Sequence, residues 1–136
     1  MDKLDRIVET ACYVGDISIK EFKSKGRERH IIDIKRMVYA LAKELVGMRY
    51  LHIAQHFNIN HATVMHHCKL HRNLIEVDAF YFRKYKTILE MVKSDLNTIE
   101  VDELMDVVAR LRANKESQME LKERLHNYYK STENEN

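Results

Sequence analysis

Hydrophobic residues recur at three- and four-residue spacings along most of the chain, and this periodicity predicts a succession of α-helices. A first helix is predicted over about residues 2–14, the broadest apolar stripe predicts another from Ile31 to Val46, and further helices are predicted over residues 50–57, 61–76 and 77–92. Between the first two, Ser18 and Glu21 have the spacing of a capping box. In the helix over residues 77–92, the apolar spacing favours burial of Phe80, Phe82 and Tyr85.

Beyond Asn97 the pattern weakens. Asn97 with Glu100 resembles a capping box and predicts the start of a new helical region, with a break near residues 113–114. Lys115, Gln118 and Lys122 interrupt a continuous heptad seam, so a long coiled coil is not predicted. We therefore expect one domain over residues 1–95 and a helical extension over 96–130 that pairs two subunits as a homodimer or docks a partner. A disordered tail is expected over 131–136.

The stretch Tyr50–His71 has the pattern of a helix-turn-helix. Asn60 can cap a helix beginning at His61, and Phe57, Ile59 and Val64 are apolar at positions that close a small core. The second helix should then expose an open side that reads DNA bases or phosphates in the major groove. The residues predicted on that side are His61, Ala62, Thr63, His66 and His67. An ordinary corner between two helices of a bundle is the alternative.

Composition supports a helical protein, since the 136 residues include no Pro and only three Gly. The net charge is only +2 with His neutral, but Lys and Arg are in excess over Asp and Glu between Lys20 and Arg36. Within that stretch Ser24–His30 (SKGRERH) forms a cationic loop that could follow a phosphate backbone or insert an Arg into a minor groove. A solvated loop without a ligand is the alternative.

Other chemistry is weakly indicated. Two Cys without recognisable spacing, no signal peptide and no apolar run long enough to span a membrane favour the cytoplasm. The i, i+4 pairs His52/His56 and His67/His71 could bind a metal, but no carboxylate or second Cys completes a set. We expect no metal or other cofactor, and no catalysis, because no nucleophile has a recognisable partner.

Three blocks in order carry a family resemblance: SKGRERH (24–30), KRMVYALAKEL (35–45) and IAQHFNINHATVMH (53–66). With these blocks the chain resembles, from Leu4 to about Val92, the C-terminal DNA-binding domain of the bacterial replication initiator DnaA. The resemblance implies a TrpR-like helix-turn-helix bundle that binds double-stranded DNA. It implies that Arg27, with Arg29 nearby, enters the minor groove and that Lys35 contacts the backbone. Bases would be read by the segment from Asn60 to Thr63.

From the residues and the resemblance together, the predicted DNA-binding set is Lys25, Arg27, Arg29, Lys35, Asn60, His61, Thr63, His66 and His67. The chain departs from the family pattern in the turn, where an Arg is missing, the turn is one residue shorter and Asn60 replaces an Asp. It also departs early in the long helix, where Asp33 replaces an Arg and is expected to repel phosphate. The printed sequence also has no GxxxxGK[ST] motif, so neither nucleotide binding nor ATP hydrolysis is expected. We expect sequence-selective DNA binding in replication or regulation. The alternative is a protein-interaction module that has lost DNA binding.

Overall fold

The computed structural model describes the backbone of residues 2–134 and the side chains of residues 2–98 and 101–130. Within this range every regular element is a helix, which confirms the predicted all-α class. The elements are α1 (Lys3–Gly15), α2 (Ile19–Lys23), α3 (Arg29–Leu41), a π-helical turn (Ala42–Val46), α4 (Tyr50–Phe57), α5 (His61–Val77) and α6 (Ala79–Asn134). Contacts divide the chain into two units, Met1–Leu96 and Asn97–Asn136.

Helix α3 lies at the centre of the first unit and packs against both α1 and α5. Its side chains Ile34, Met37, Val38 and Leu41 are completely shielded from solvent. These four positions follow the helical repeat that the sequence shows, and their burial supplies much of the hydrophobic stabilisation of the unit. The broad apolar stripe of the sequence is therefore the core of the fold, as predicted.

The path from α1 to α2 is fixed by local hydrogen bonds. Asp16 adopts a left-handed conformation (φ 54°), and the Ile17 amide donates to the Cys12 carbonyl at 3.1 Å. The capping box predicted at Ser18 is present, because the Ser18 hydroxyl accepts from the Glu21 amide and the Glu21 carboxylate accepts from the Ser18 amide. The side chain of Phe22 is buried and attaches the short helix α2 to the rest of the unit. The cationic loop follows directly after α2.

The start of α6 differs from the prediction. Asp78 caps the helix by accepting hydrogen bonds from the Phe80 and Tyr81 amides at 3.1 Å each. With this start the inward positions are Tyr81, Tyr85, Ile88 and Val92, whereas Phe80 is 82% exposed and Phe82 44% exposed. The predicted burial of Phe80 and Phe82 is therefore wrong, and that of Tyr85 is confirmed.

Helix α6 also passes without interruption through Asn97 and Ala113, so the predicted helix start and the predicted break are both wrong within residues 79–134. Its backbone continues to Asn134, into the segment predicted to be disordered, while Glu135 and Asn136 lie outside the described residues. Between residues 101 and 130 every side chain is exposed.

Candidate nucleic-acid interface

The turn between α4 and α5 is built by two asparagines. Asn58 adopts a left-handed conformation (φ 54°), which Asn tolerates better than other residues with a Cβ atom. The next amide, of Ile59, donates to the Ala54 carbonyl at 2.9 Å and closes the end of α4. Asn60 then caps α5, since its side-chain oxygen accepts from the Ala62 amide at 2.8 Å, as predicted. The helix-turn-helix geometry thus follows from local chemistry.

Beneath the turn, α4 and α5 share a small core. Val64 is fully buried, Ala54 is 2% exposed, and Phe57 and Ile59 are half-buried. The Phe57 ring lies 5.3 Å from the Tyr39 ring of α3 and 5.9 Å from the Phe22 ring of α2. These aromatic contacts attach the helix-turn-helix to the rest of the unit and fix the direction in which α5 presents its outer side.

The outer side of α5 carries polar residues that face water. His61, Thr63 and His66 are exposed, as predicted. Lys69 and Asn73 are exposed too and follow His66 at three- and seven-residue spacings, which places them on the same side of the helix. The sequence analysis missed both, although continuing the repeat from His66 would have found them. We call His61, Thr63, His66, Lys69 and Asn73 the open face of α5.

His67 does not belong to this face, contrary to the prediction. It is half-buried, with its ring 5.5 Å from that of Tyr39, and its Nδ1 atom is buried without a hydrogen-bond partner. Burial, together with the positive charges of Arg36 and Lys35 and the neighbouring His66, lowers the pKa of His67 to about 4. The side chain is thus a neutral packing group between α5 and α3.

The cationic loop is anchored at its first residue. The Lys35 ammonium of α3 donates to the Ser24 carbonyl at 2.6 Å, and burial lowers the pKa of this ammonium. Arg29, predicted to lie in the loop, instead begins α3. Lys35 therefore has a structural role in positioning the loop.

Two grooves show what the loop lies beside. The first, of about 590 Å³, brings Lys25 and Lys35 together with Asn58 and Ile59 of the turn. The second, of about 410 Å³, is lined by Arg27 and Arg29 together with Leu70, Asn73 and Leu74 of α5. The cationic loop and the helix-turn-helix are thus neighbours at two separate places, and Asn73 of the open face borders the same groove as Arg27.

Arg36 of α3 also lines the second groove but is largely buried. It is 9% exposed and forms an ion pair with Asp33 at 2.7 Å. This pairing offsets the charge of Asp33, the residue whose carboxylate was expected to repel phosphate. The Arg36 guanidinium also lies close enough to the Tyr81 hydroxyl to act on it electrostatically, and that hydroxyl lies 2.7 Å from Nδ1 of buried His71. A polar network therefore joins α3, α5 and α6 behind the groove.

The two histidine pairs considered for metal binding are separated by their surroundings. His52 and His56 are exposed on α4, with His56 3.7 Å from the Asp5 carboxylate, whereas His71 is fully buried. Among the described residues, no group of three or more His, Cys, Asp or Glu side chains could hold a metal ion. In the same part of the chain, every helix is too short or too polar to cross a membrane.

Comparison with known proteins identifies the first unit. Residues 4–70 match the family described as "Bacterial dnaA protein helix-turn-helix". The chromosomal replication initiator protein DnaA of Laribacter hongkongensis is 32% identical over 92 residues, which are 67% of this chain and 19% of that protein. The DnaA of Chromobacterium violaceum is 30% identical over 92 residues (67% of this chain, 20% of that protein), and that of Bacteroides thetaiotaomicron 26% over 91 residues (66% and 19%).

The chain thus spans about a fifth of the length of these relatives. The matched region contains α1 to α4, the cationic loop and most of α5, which are the elements that build the grooves described above. Through residues 4–70, this chain belongs to the helix-turn-helix family of bacterial DnaA.

Proposed function

We propose that the chain binds double-stranded DNA sequence-selectively, in a replication-associated role and without hydrolysing ATP. In this proposal the open face of α5 lies in the major groove, and the cationic loop lies on the adjacent backbone and minor groove. The observation that carries it is the second groove, which Arg27 and Arg29 line together with the α5 residue Asn73. Membership in the DnaA helix-turn-helix family supports the same conclusion.

The open face offers side chains suited to reading bases. An Asn amide can donate to and accept from adenine, and a Lys can donate to guanine, so Asn73 and Lys69 can both contribute selectivity. Thr63 and His66 can bond to bases or to phosphates. Each good base contact is worth about 1–3 kcal/mol of discrimination. The helix therefore supplies specificity, and its contacts should depend on the DNA sequence.

The loop offers charge. Lys25 lines the groove beside the turn, and Arg27 with Arg29, at the start of α3, lines the groove beside α5. Phosphate contacts of such cations give affinity without sequence information. Lys35 supports them indirectly by holding Ser24 in place. Asn60 combines both roles, because its oxygen caps α5 and its amide nitrogen can donate to a phosphate. Loss of a loop cation should therefore weaken binding to all duplexes by a similar factor.

A duplex library test addresses the proposal directly. The 136-residue chain is used to select bound sequences from a random duplex library. The most enriched duplex is then titrated with the protein by fluorescence polarisation at two salt concentrations. We expect an enriched motif and a loss of affinity in Arg27→Ala that exceeds the loss in Arg110→Ala, a matched change at an exposed residue of the second unit. Absence of binding at low salt would contradict the proposal and favour the protein-interaction module. Binding without an enriched motif would contradict its sequence selectivity.

A further inference from the structure

The second unit presents apolar side chains to water along one helix. Leu104, Leu111, Leu125 and Tyr129 are between 55% and 63% exposed, and Val108 is 41% exposed. Because an isolated helix with such a stripe leaves its main source of stabilisation unused, the stripe requires a partner surface. The charge and spacing of the stripe identify that partner.

Because α6 is one continuous helix, the polar residues that interrupt the apolar pattern occupy positions of the same helical repeat as the apolar residues. The seam runs through Leu104, Val108 and Leu111, continues through Lys115, Gln118 and Lys122, and resumes at Leu125 and Tyr129. Successive members are alternately four and three residues apart, which is the heptad spacing of a coiled coil. The polar residues form a block in the middle of the seam, with apolar residues at both ends.

This arrangement disfavours a parallel pair of identical helices. In a parallel dimer each seam position meets itself, so Lys115 would face Lys115 and Lys122 would face Lys122 of the other copy. Like charges at these positions are destabilising.

An antiparallel pair removes both conflicts. With its twofold axis between Glu116 and Ser117, Lys115 of one copy lies opposite Gln118 of the other, and Lys122 lies opposite Leu111. The apolar ends match in the same register. Leu104 meets Tyr129 and Val108 meets Leu125.

The heptad spacing favours a two-stranded coiled coil, and the positions of Lys115 and Lys122 in the seam favour the antiparallel direction. We propose that the C-terminal half of α6 pairs with the same segment of a second copy of this chain as an antiparallel two-stranded coiled coil.

The mass of the 136-residue chain in solution tests the pairing, without DNA and so independently of the proposed DNA binding. Light scattering should give twice the mass of one chain. The double change Val108→Glu with Leu125→Glu should reduce it to the mass of one chain, while Ala113→Glu, on the opposite side of the helix, should leave the dimer intact. A single-chain mass for the unaltered protein overturns the proposal.

Disulfide trapping tests the direction. A one-to-one mixture of Leu104→Cys and Tyr129→Cys chains should form a mixed disulfide-linked dimer on oxidation, and neither variant alone should do so. In the antiparallel register the two copies of position 104 are separated by the rise of 25 helical residues, about 37 Å. Native Cys12 and Cys68 are each 3% exposed and should not compete. Efficient crosslinking of Leu104→Cys with itself would show a parallel pair and overturn the antiparallel assignment.

Discussion

His71 is held in its neutral form by the residues around it. It is fully buried, its ring lies 4.3 Å from that of Tyr85, and its Nδ1 atom lies 2.7 Å from the Tyr81 hydroxyl. Its Nε2 atom is buried without a hydrogen-bond partner.

This burial makes the stability of the first unit depend on pH. Burial, followed by the positive charges of Arg36 and Arg72, lowers the pKa of His71 to about 4 from 6.5. Between pH 6.5 and pH 4, His71 is therefore protonated in the unfolded chain but remains neutral in the folded chain. The free energy of unfolding should fall by on the order of 3 kcal/mol between pH 6.5 and pH 4 from this residue alone.

Urea unfolding at a series of pH values measures the effect. Gln at position 71 cannot titrate in this range, so the pH dependence of His71→Gln should be weaker than that of the parent, and His67 should contribute to the part that remains. An unchanged pH profile in His71→Gln would show that His71 is not the group responsible.

Residue-scale prediction from sequence succeeded where the signal was local and failed where it depended on helix orientation. The Asn60 cap and the Ser18 capping box were predicted because their partners lie within three residues. His67 and Phe80 were misplaced, since whether a residue faces in or out depends on where its helix begins and against what it packs. Lys69 was not predicted because the helix-turn-helix pattern used to choose the exposed residues of α5 ended at His67.

At the scale of elements, the crossing of α1 and α3 depends on a glycine. A Cβ atom at Gly15 would lie 2.5 Å from Cδ1 and 2.7 Å from Cγ1 of Ile34, which is fully buried and has no room to move. Gly15→Ala should therefore lower the free energy of unfolding by about 1–3 kcal/mol. Chemical denaturation provides the measurement.

Two further variants test the cause. Gly26→Ala, where the nearest atom to the new methyl would be Ser24 Oγ at 3.5 Å, should change stability little. Ile34→Val removes the Cδ1 atom, so the double variant with Gly15→Ala should lose less stability than the sum of the two single changes. Simple additivity would contradict the steric explanation.

The turn of the helix-turn-helix gives a second prediction for an element. Asn58 holds a left-handed conformation in which a Cβ atom is unfavourable. Asn58→Gly should preserve or slightly raise stability, and Asn58→Ala should lower it by about 1 kcal/mol. Thermal unfolding of the pair compares them directly, and an Asn58→Ala variant as stable as Asn58→Gly would contradict the strained conformation.

Element prediction was strongest for α3 and α4, whose stripes and turns agree with the structure. It failed at Asn97, where a sequence with the form of a capping box lies inside α6. A helix continues through such a sequence when the backbone hydrogen bonds on both sides are intact, so a local motif alone cannot stop it. The heptad seam beyond residue 101 was likewise hidden until the helix was known to be continuous.

At the scale of the whole molecule, the proposed interface combines the α5 open face with the cationic loop. Each phosphate contact releases counterions, so removing one cation should reduce the slope of log affinity against log salt concentration by about 1. We expect this reduction for Arg27→Ala, measured by polarisation titration across several salt concentrations. A slope equal to that of the parent would exclude Arg27 from the phosphate contacts.

Cleavage of DNA from two tethered sites tests the interface as a unit. A cutting reagent such as iron-EDTA is attached to His66→Cys on α5 or to Gly26→Cys in the loop. The native thiols should not react because Cys12 and Cys68 are buried and their pKa values are raised. On the selected duplex, both sites should cut within one footprint, less than about one helical turn (roughly 10 base pairs) apart. Cleavage from only one of the two sites, or at places more than a turn apart, would contradict a single interface formed by α5 and the loop.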